Sequence, residues 1–492
     1  MKWLINYYED DNLVFDSVHG YIPFAGSRFP GEASERDIID SAWMQRLRQI
    51  HQLQTAWFVY PTAEHSRFQH SLGSMHLASK VIDQLYPSLV DTCVAINCNE
   101  KLPSRNYLES LVRMSALLHD VGHGPFGHFF DSHYLSQFNL NHEKLGAEII
   151  RRELSVLLRK IRRNPHGELD AGEILDPEQI AYLIVRPLSG NSGDAAPFWL
   201  RLLRSLFSGL YTVDNMDFVS RDAYMTGFGA SIIDIDRLIH YSFFTSEGLT
   251  MHQKGFAALI RFLNVRGELF RSIYFHRDVR AIDLMLGELF ERSCGYIFSD
   301  PLFPEVEAAR NPLDFLDDYL GFTEWSLLID VSRFDRSTNP AKRKLAPLWK
   351  NFLTRQIPFQ LATEKTILFQ SGKGEHTSIF GNEQILKQMI IEKLPEQLRK
   401  IDFQIDCARH QLRTGIKNDF TNKQQNINIK NCLFDPSTKT IRPLEDEDLF
   451  RYIPQSYRIC RIYAKNPEHI APLAEAMNQI TNNTELDTET NM

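Results

Sequence analysis

Apolar residues recur at three- and four-residue spacing from about residue 35 to about residue 330, and this periodicity constrains the fold more than any other feature. It runs through "ERDIIDSAWMQRLRQIHQL", "HLASKVIDQLY", "YLESLVRMSALLHD", "KLGAEIIRRELSVLLRKI", "PFWLRLLRSLF" and "DVRAIDLMLGELFERS". Each stretch predicts a helix with an apolar stripe, and several such stripes in succession must bury one another. The expected fold class is therefore mainly α. Short alternating pieces over residues 1–30, punctuated by "HGYIPFAGSRFPGE", predict a strand or turn entry. "RPLSGNSGDAAP" (186–197) reads as a loop between helices. Beyond about 375, "QNINIKNCLFD", "KTIRPL" and "YRICRIYAK" read as strands and 466–480 as a last helix. The expected organisation is a helical catalytic core with its entry over 1–375, a smaller mixed α/β C-terminal lobe over 376–480, and a polar, disordered tail over 481–492.

Composition narrows the function classes. A net charge of −8 disfavours a protein built to coat nucleic acid, although the basic strip "RRELSVLLRKIRRN" leaves room for such a partner. The six cysteines are scattered with no CxxC pair, which predicts reduced thiols and neither a disulfide framework nor a cysteine zinc site. "MKWLINYYEDDNLVF" turns acidic too early for a signal peptide. No apolar run reaches the roughly 18 residues of a membrane span. A cytoplasmic protein with no membrane partner is expected.

The chemistry concentrates in "LLHDVGHGPFGHFFD" (117–131), where an apolar helix ends in titratable groups and glycines. His119 and Asp120 are adjacent, so their side chains diverge by about 100° on a helix and reach one ion only if the helix end lines a cavity. Imidazole and carboxylate suit Mn²⁺, Fe²⁺, Zn²⁺ or Ni²⁺. Two ligands make a weak site. His70, opening the helix in "EHSRFQHSLGSMHLASK", and Asp214, in "YTVDNMDFVSRD", would complete it and leave positions open for water and substrate. Taken singly, a His-Asp pair more often caps a helix or sits on a surface; its union with glycines and further histidines is what points to catalysis.

"SRFQHSLG", "LLHDVGHGPFGHFFD", "NHEKLGAEII" and "VDNMDFVSRDAYMTG", in this order, closely resemble the HD-domain deoxynucleoside triphosphate triphosphohydrolases, the family of the bacterial dGTPases and the vertebrate SAM-and-HD-domain dNTPase. The likeness runs from "DSVHGYI" to "YFHRDVRAIDLML" and more faintly into "LFRYIPQSYRICRIYAKNP". It implies a multi-helix HD-domain core, without a SAM domain because the blocks begin almost at the N-terminus. It implies metal ligation by His70, His119, Asp120 and Asp214, with Mg²⁺ also able to ride on the substrate phosphates. His128, His142 and Asp131 fall where the family acts near the α-phosphate, and His123 beside them. Arg67 falls at a phosphate contact, Gln52 and Leu53 at the sugar, and Asp222 and Tyr274 around sugar and base. Asn215 and Phe218 depart from the vertebrate lysine and tyrosine. Each lost charge-assisted bond is worth about 1.5–3 kcal/mol, enough to shift substrate preference.

The implied reaction hydrolyses a dNTP at the α-phosphorus to deoxynucleoside and tripolyphosphate. A divalent ion and an arginine would stabilise charge on phosphoryl oxygens. His128 is favoured as the residue that protonates the departing 5′-oxygen, with His142 orienting or binding phosphate and Asp131 or Glu143 fixing the ring tautomer. The resemblance also implies a homo-oligomer (dimer, tetramer or hexamer) activated by GTP or a dNTP. Asp40 and Arg48, about two turns apart on one helix, would read the activator base, with His276 and Arg277 near an adjoining nucleotide. The rival readings are another HD phosphohydrolase (a nucleotidase, phosphodiesterase or alarmone hydrolase) and a nonenzymatic nucleotide sensor.

Overall fold

The helical periodicity is realised: 56% of the structure, a computed structural model, is helical. It describes residues 11–96, 101–185, 196–300, 302, 306–370, 374–375, 378–413 and 431–488; most of the expected 186–197 loop and the first strand segment "QNINIK" lie outside these residues. Among the described residues no helix is long and apolar enough to cross a membrane.

The chain divides into two units, each discontinuous in sequence. The first comprises Met1–Val265, Cys294–Asp330 and Ile416–Glu447. Its entry is an antiparallel hairpin, β1 (Asp11–Asp16) and β2 (Gly20–Ala25), in the register Asp16↔Gly20 to Asp11↔Ala25. Two short helices follow, α1 (Glu35–Ile39) and α2 (Ala42–Arg46). The expected continuous helix through Asp40 and Arg48 is broken here. Ser41 ends one helix by donating its hydroxyl to the Ile38 carbonyl (2.7 Å) and caps the next by accepting from the Met44 amide (3.4 Å). Asp40 and Arg48 therefore do not share one helix face.

The long α3 (Arg67–Ala95) packs along α4 (Arg105–Leu118). Every residue of α4 from Tyr107 to Leu118 is buried, which is why its sequence is apolar nearly all round. Two buried charges interrupt it and both are paired: Glu109 with His166 (2.5 Å), and Arg113. Its guanidinium grips Glu35 (2.6 and 2.7 Å) and donates to Ser79 Oγ (2.5 Å) and the Pro23 carbonyl (3.0 Å), clipping the hairpin, α1 and α3 to α4. Three further elements frame the site: α5 (His128–His133), α6 (His142–Ile149) and α7 (Val213–Met225); the hairpin β3 (Ser242–Thr245) with β4 (Gly248–His252) bonds to Ser88 and Thr92 further along α3.

A continuous C-terminal lobe from 376 is not what forms. Residues Cys432–Asp435 run parallel to β4 and pair antiparallel with Thr440–Pro443, so this expected lobe segment completes a four-stranded sheet of the first unit. The second unit comprises Arg266–Ser293, Val331–Gly415 and Asp448–Met492. It holds a three-stranded antiparallel sheet with Ser456–Ala464 between Gln360–Phe369 and Phe403–Gln411. Leu386 and Ile390 of the helix Glu383–Lys393, and Leu473 and Met477 of the helix Ile470–Thr488, bury the sheet residues Ile405 and Ile462. The strand Gln360–Phe369 falls before the expected 375 boundary. The last helix runs past the expected 480 end to Thr488, with the Thr481 hydroxyl bonded back to the Met477 carbonyl (3.2 Å).

Candidate metal centre and adjoining histidine cluster

Three segments of the first unit converge. His70 lies one turn into α3, His119 is the C-cap of α4, and Asp214 sits in the first turn of α7. Their ligand atoms all fall within 4.8 Å of one another. His70 Nε2 is 3.1 Å from His119 Nε2 and 3.1 Å from Asp214 Oδ1. Asp120 stands beside them, Oδ1 at 3.3 Å from His119 Nε2 and Oδ2 at 4.0 Å from His70 Nε2.

The hydrogen bonds fix which nitrogens are free. His70 Nδ1 donates to Asp217 (2.7 Å) and His119 Nδ1 to the Ala116 carbonyl (2.7 Å). In their neutral form both rings would then turn unprotonated Nε2 lone pairs toward each other and toward a carboxylate. Three acceptors facing inward repel unless a cation or a proton lies among them. Burial alone would lower the pKa of His70, yet the Asp214 and Asp217 carboxylates push it up to about 10, so the cluster draws in positive charge. The same histidines hold the Asp214 carboxyl below the usual carboxylate range. This donor set fits a divalent ion of the Mn, Fe, Zn or Ni type.

A second cluster adjoins it. The turn after His119 carries left-handed Phe126 (φ 61°) and Gly127 (φ 55°). Glu324, fully buried, accepts the Phe126 amide (3.2 Å) and holds His51 (2.6 Å), pinning the turn. A Cβ on Gly122 would lie 2.1 Å from the His142 carbonyl, so only glycine lets α6 close against the turn. His123, His128, Asp131 and His142 thereby bring one ligand atom each within 4.8 Å. His123 and His142 stack at 3.7 Å, and His128 stands edge-on to both. Asp131 receives His142 Nδ1 at 2.5 Å and the His142 amide at 3.2 Å, while His128 Nδ1 is 3.3 Å away. Asp131 is the acid that both rings meet, and His142 is the more tightly held. His128 is the exposed member, its side chain 62% accessible. His123 is fully buried and neutral: burial, then the charge of Arg67, drives its pKa well down. Asp120 joins the clusters, with Oδ1 also 3.4 Å from His123 Nε2.

The other expected residues are placed as follows. Arg67 is buried, its Nη1 on Asp120 Oδ2 (2.8 Å) and its guanidinium packed over Gly127. Gln52 lies beside it with Oε1 buried and without a hydrogen bond, whereas Leu53 is a core residue at 3% exposure. Asp222 is buried against His65 Nε2 (2.7 Å). The Asn215 amide is capped by Thr212 Oγ1 (3.0 Å), and Phe218 is half-buried on α7. Asp40 is exposed and pairs with Arg36 (3.3 Å); Arg48 lies over the Phe68 ring at 3.7 Å. Tyr274, His276 and Arg277 belong to the second unit. Tyr274 packs 4.5 Å from Phe270, His276 Nδ1 accepts the Asp278 amide (3.2 Å), and Arg277 lies 3.8 Å from Asp278. Asp217, His19, His65 and Glu324 join the site beside the expected residues. Asp217 was legible as a second acid three residues after Asp214, on the same helical face; His19 and His65 stand in the quoted segments "DSVHGYI" and "EHSRFQHSLGSMHLASK" without a partner visible there, and Glu324 comes from a distant segment with no local signature.

Residues 67–184 match the HD domain family. The deoxynucleoside triphosphate triphosphohydrolase SAMHD1 homolog of Dictyostelium discoideum is 26% identical over 396 residues, 78% of this chain and 68% of its own. The deoxynucleoside triphosphate triphosphohydrolase SAMHD1 of Gallus gallus is 26% identical over 460 residues, 88% of this chain and 70% of its own. The crystal structure of a hypothetical protein from Aquifex aeolicus superposes with a TM-score of 0.63 at 19% identity, covering 95% of this chain and 100% of that one, which shows a shared fold.

Proposed function

From the premise that the chain carries an HD domain and is homologous to the SAMHD1 triphosphohydrolases, we propose that it hydrolyses deoxynucleoside triphosphates to deoxynucleoside and tripolyphosphate. The observation that carries this reading is that Asp120 lies against two adjoining His/Asp clusters, each geometrically able to hold an ion, of which we assign the first to the metal and the second to proton and phosphate chemistry. His70, His119, Asp120 and Asp214 would hold the ion, which would polarise phosphoryl oxygen and activate water. Arg67, already neutralising one side of Asp120, sets its charge beside the phosphates. His128 is exposed and so reaches the departing 5′-oxygen as the proton donor, while His142, locked by Asp131, and His123 line the phosphate path. The unbonded end of Gln52 is free for a sugar hydroxyl, with Asp222, Asn215 and Phe218 around sugar and base. In this reading the protein is a homo-oligomer activated by GTP or a dNTP through Asp40, Arg48, His276 and Arg277.

The test is an assay of the four dNTPs, singly and mixed, with Mn²⁺ or Mg²⁺ and chromatographic product analysis. Nucleoside plus tripolyphosphate is expected, abolished in Asp214→Ala and weakened only in its activation by Asp40→Ala. Release of single phosphates would mark a nucleotidase instead. No turnover in any mixture would overturn the reading, as would a fully active Asp214→Ala protein.

A further inference from the structure

His70 is held at both ring nitrogens by a single helix. Asp214 faces Nε2, and Asp217, one turn further along α7, accepts from Nδ1 (2.7 Å). Asp217 is fully buried and would be costly as a lone charge. It is not alone. Arg221 donates to it twice, from Nε and Nη2 (2.9 Å each), and His19 Nε2 donates at 2.6 Å. Arg221 in turn reaches Asp16 (2.7 Å), whose Oδ1 accepts the amides of Val18 and His19 (2.9 Å each) and so shapes the β1–β2 turn. The approach is close enough that a Cβ on Gly73, one turn after His70, would fall 1.9 Å from Asp217 Oδ1.

An imidazole whose far nitrogen donates to a carboxylate is fixed in tautomer and orientation and is a more basic ligand, an effect typically worth 10–100-fold in metal affinity. We propose that the hairpin turn Asp16–Gly20, acting through Asp217, sets the tautomer and aim of the metal ligand His70, making Asp217 and His19 positioning residues of the metal centre. The inference rests on His70 being a ligand. It explains why "DSVHGYI", about fifty residues before that histidine, is built into the same unit as a buried polar chain rather than an apolar contact.

The test measures affinity of the full-length chain for Mn²⁺ or Zn²⁺ by competition with a chelating dye, together with the visible spectrum of the Co²⁺-loaded protein. Asp217→Asn should weaken binding by about 10–100-fold and alter the Co²⁺ bands. His19→Ala should weaken it by about fivefold or more, and His19→Gln, whose amide nitrogen can replace Nε2, should restore it; a merely structural defect would not be rescued in affinity and spectrum together. Should Asp217→Asn fail to fold, the two His19 variants decide alone. Wild-type affinity within twofold in His19→Ala overturns the inference while leaving the metal centre standing. A wild-type chain that binds no ion overturns both.

Discussion

At the scale of single residues, the site is governed by which nitrogen of each histidine is already spent. Hydrogen bonds to Asp217 and the Ala116 carbonyl commit the Nδ1 atoms of His70 and His119, leaving both Nε2 atoms to an ion. Asp131 commits Nδ1 of His142 in the same way and sits less closely on His128. Removing that acceptor charge should damage proton and phosphate chemistry without touching ion binding. Asp131→Asn is expected to lower kcat by about 10²-fold or more with metal affinity unchanged, read by steady-state kinetics beside dye competition. An equal loss of both would place Asp131 in the metal centre instead. Of the four candidate ligands, His119 and Asp120 stand out in the sequence because a helix-ending His-Asp pair, glycines and histidines lie within fifteen positions, whereas His70 and Asp214 lie outside that stretch and join them through the family resemblance. Asp217 and Glu324 do not stand out, since a buried carboxylate owes its role to a partner far away in the chain.

At the scale of elements, the turn between α4 and α5 does the positioning. Its left-handed Phe126 and Gly127 reverse the chain, and Glu324 ties the turn down. Gly127→Ala is expected to destabilise by about 1–3 kcal/mol, because its backbone lies where only glycine is unstrained. The added methyl would also meet Arg67 Nη2 at 2.2 Å and drive that side chain off Asp120. A thermal melt gives the stability loss, and a raised KM for triphosphate would report displaced Arg67; an unchanged melting temperature and KM would show that the turn is not set by this glycine. The break between α1 and α2 teaches the complementary lesson. Apolar spacing through "ERDIIDSAWMQRLRQ" suits one helix, but Ser41 satisfies backbone groups on both sides of itself and divides it.

At the scale of the whole molecule, the two units draw on interleaved stretches of chain. An ion bound in the folded first unit stabilises that unit by mass action, about 2.7 kcal/mol at a hundredfold excess over Kd. Calorimetry with added Mn²⁺ should therefore raise the unfolding transition by a few degrees, and chelator should reverse the rise. A melt indifferent to metal would contradict ion binding at His70, His119 and Asp214. The interleaving itself escaped the sequence. Strand patterning at 432–443 and 456–464 was readable, but pairing partners are not written in a strand's own alternation: Cys432–Asp435 joins β4 in the first unit, while Ser456–Ala464 centres the sheet of the second. By itself the sequence determined the helical character and the strands at 432–443 and 456–464, though not Gln360–Phe369 or Phe403–Gln411, and it singled out the turn that carries His119 and Asp120, because periodicity and turn chemistry act over a few residues. Only the tertiary structure decided which strands pair, where helices break, and which buried acids aim the histidines, because those depend on hydrogen-bond partners that folding alone brings together.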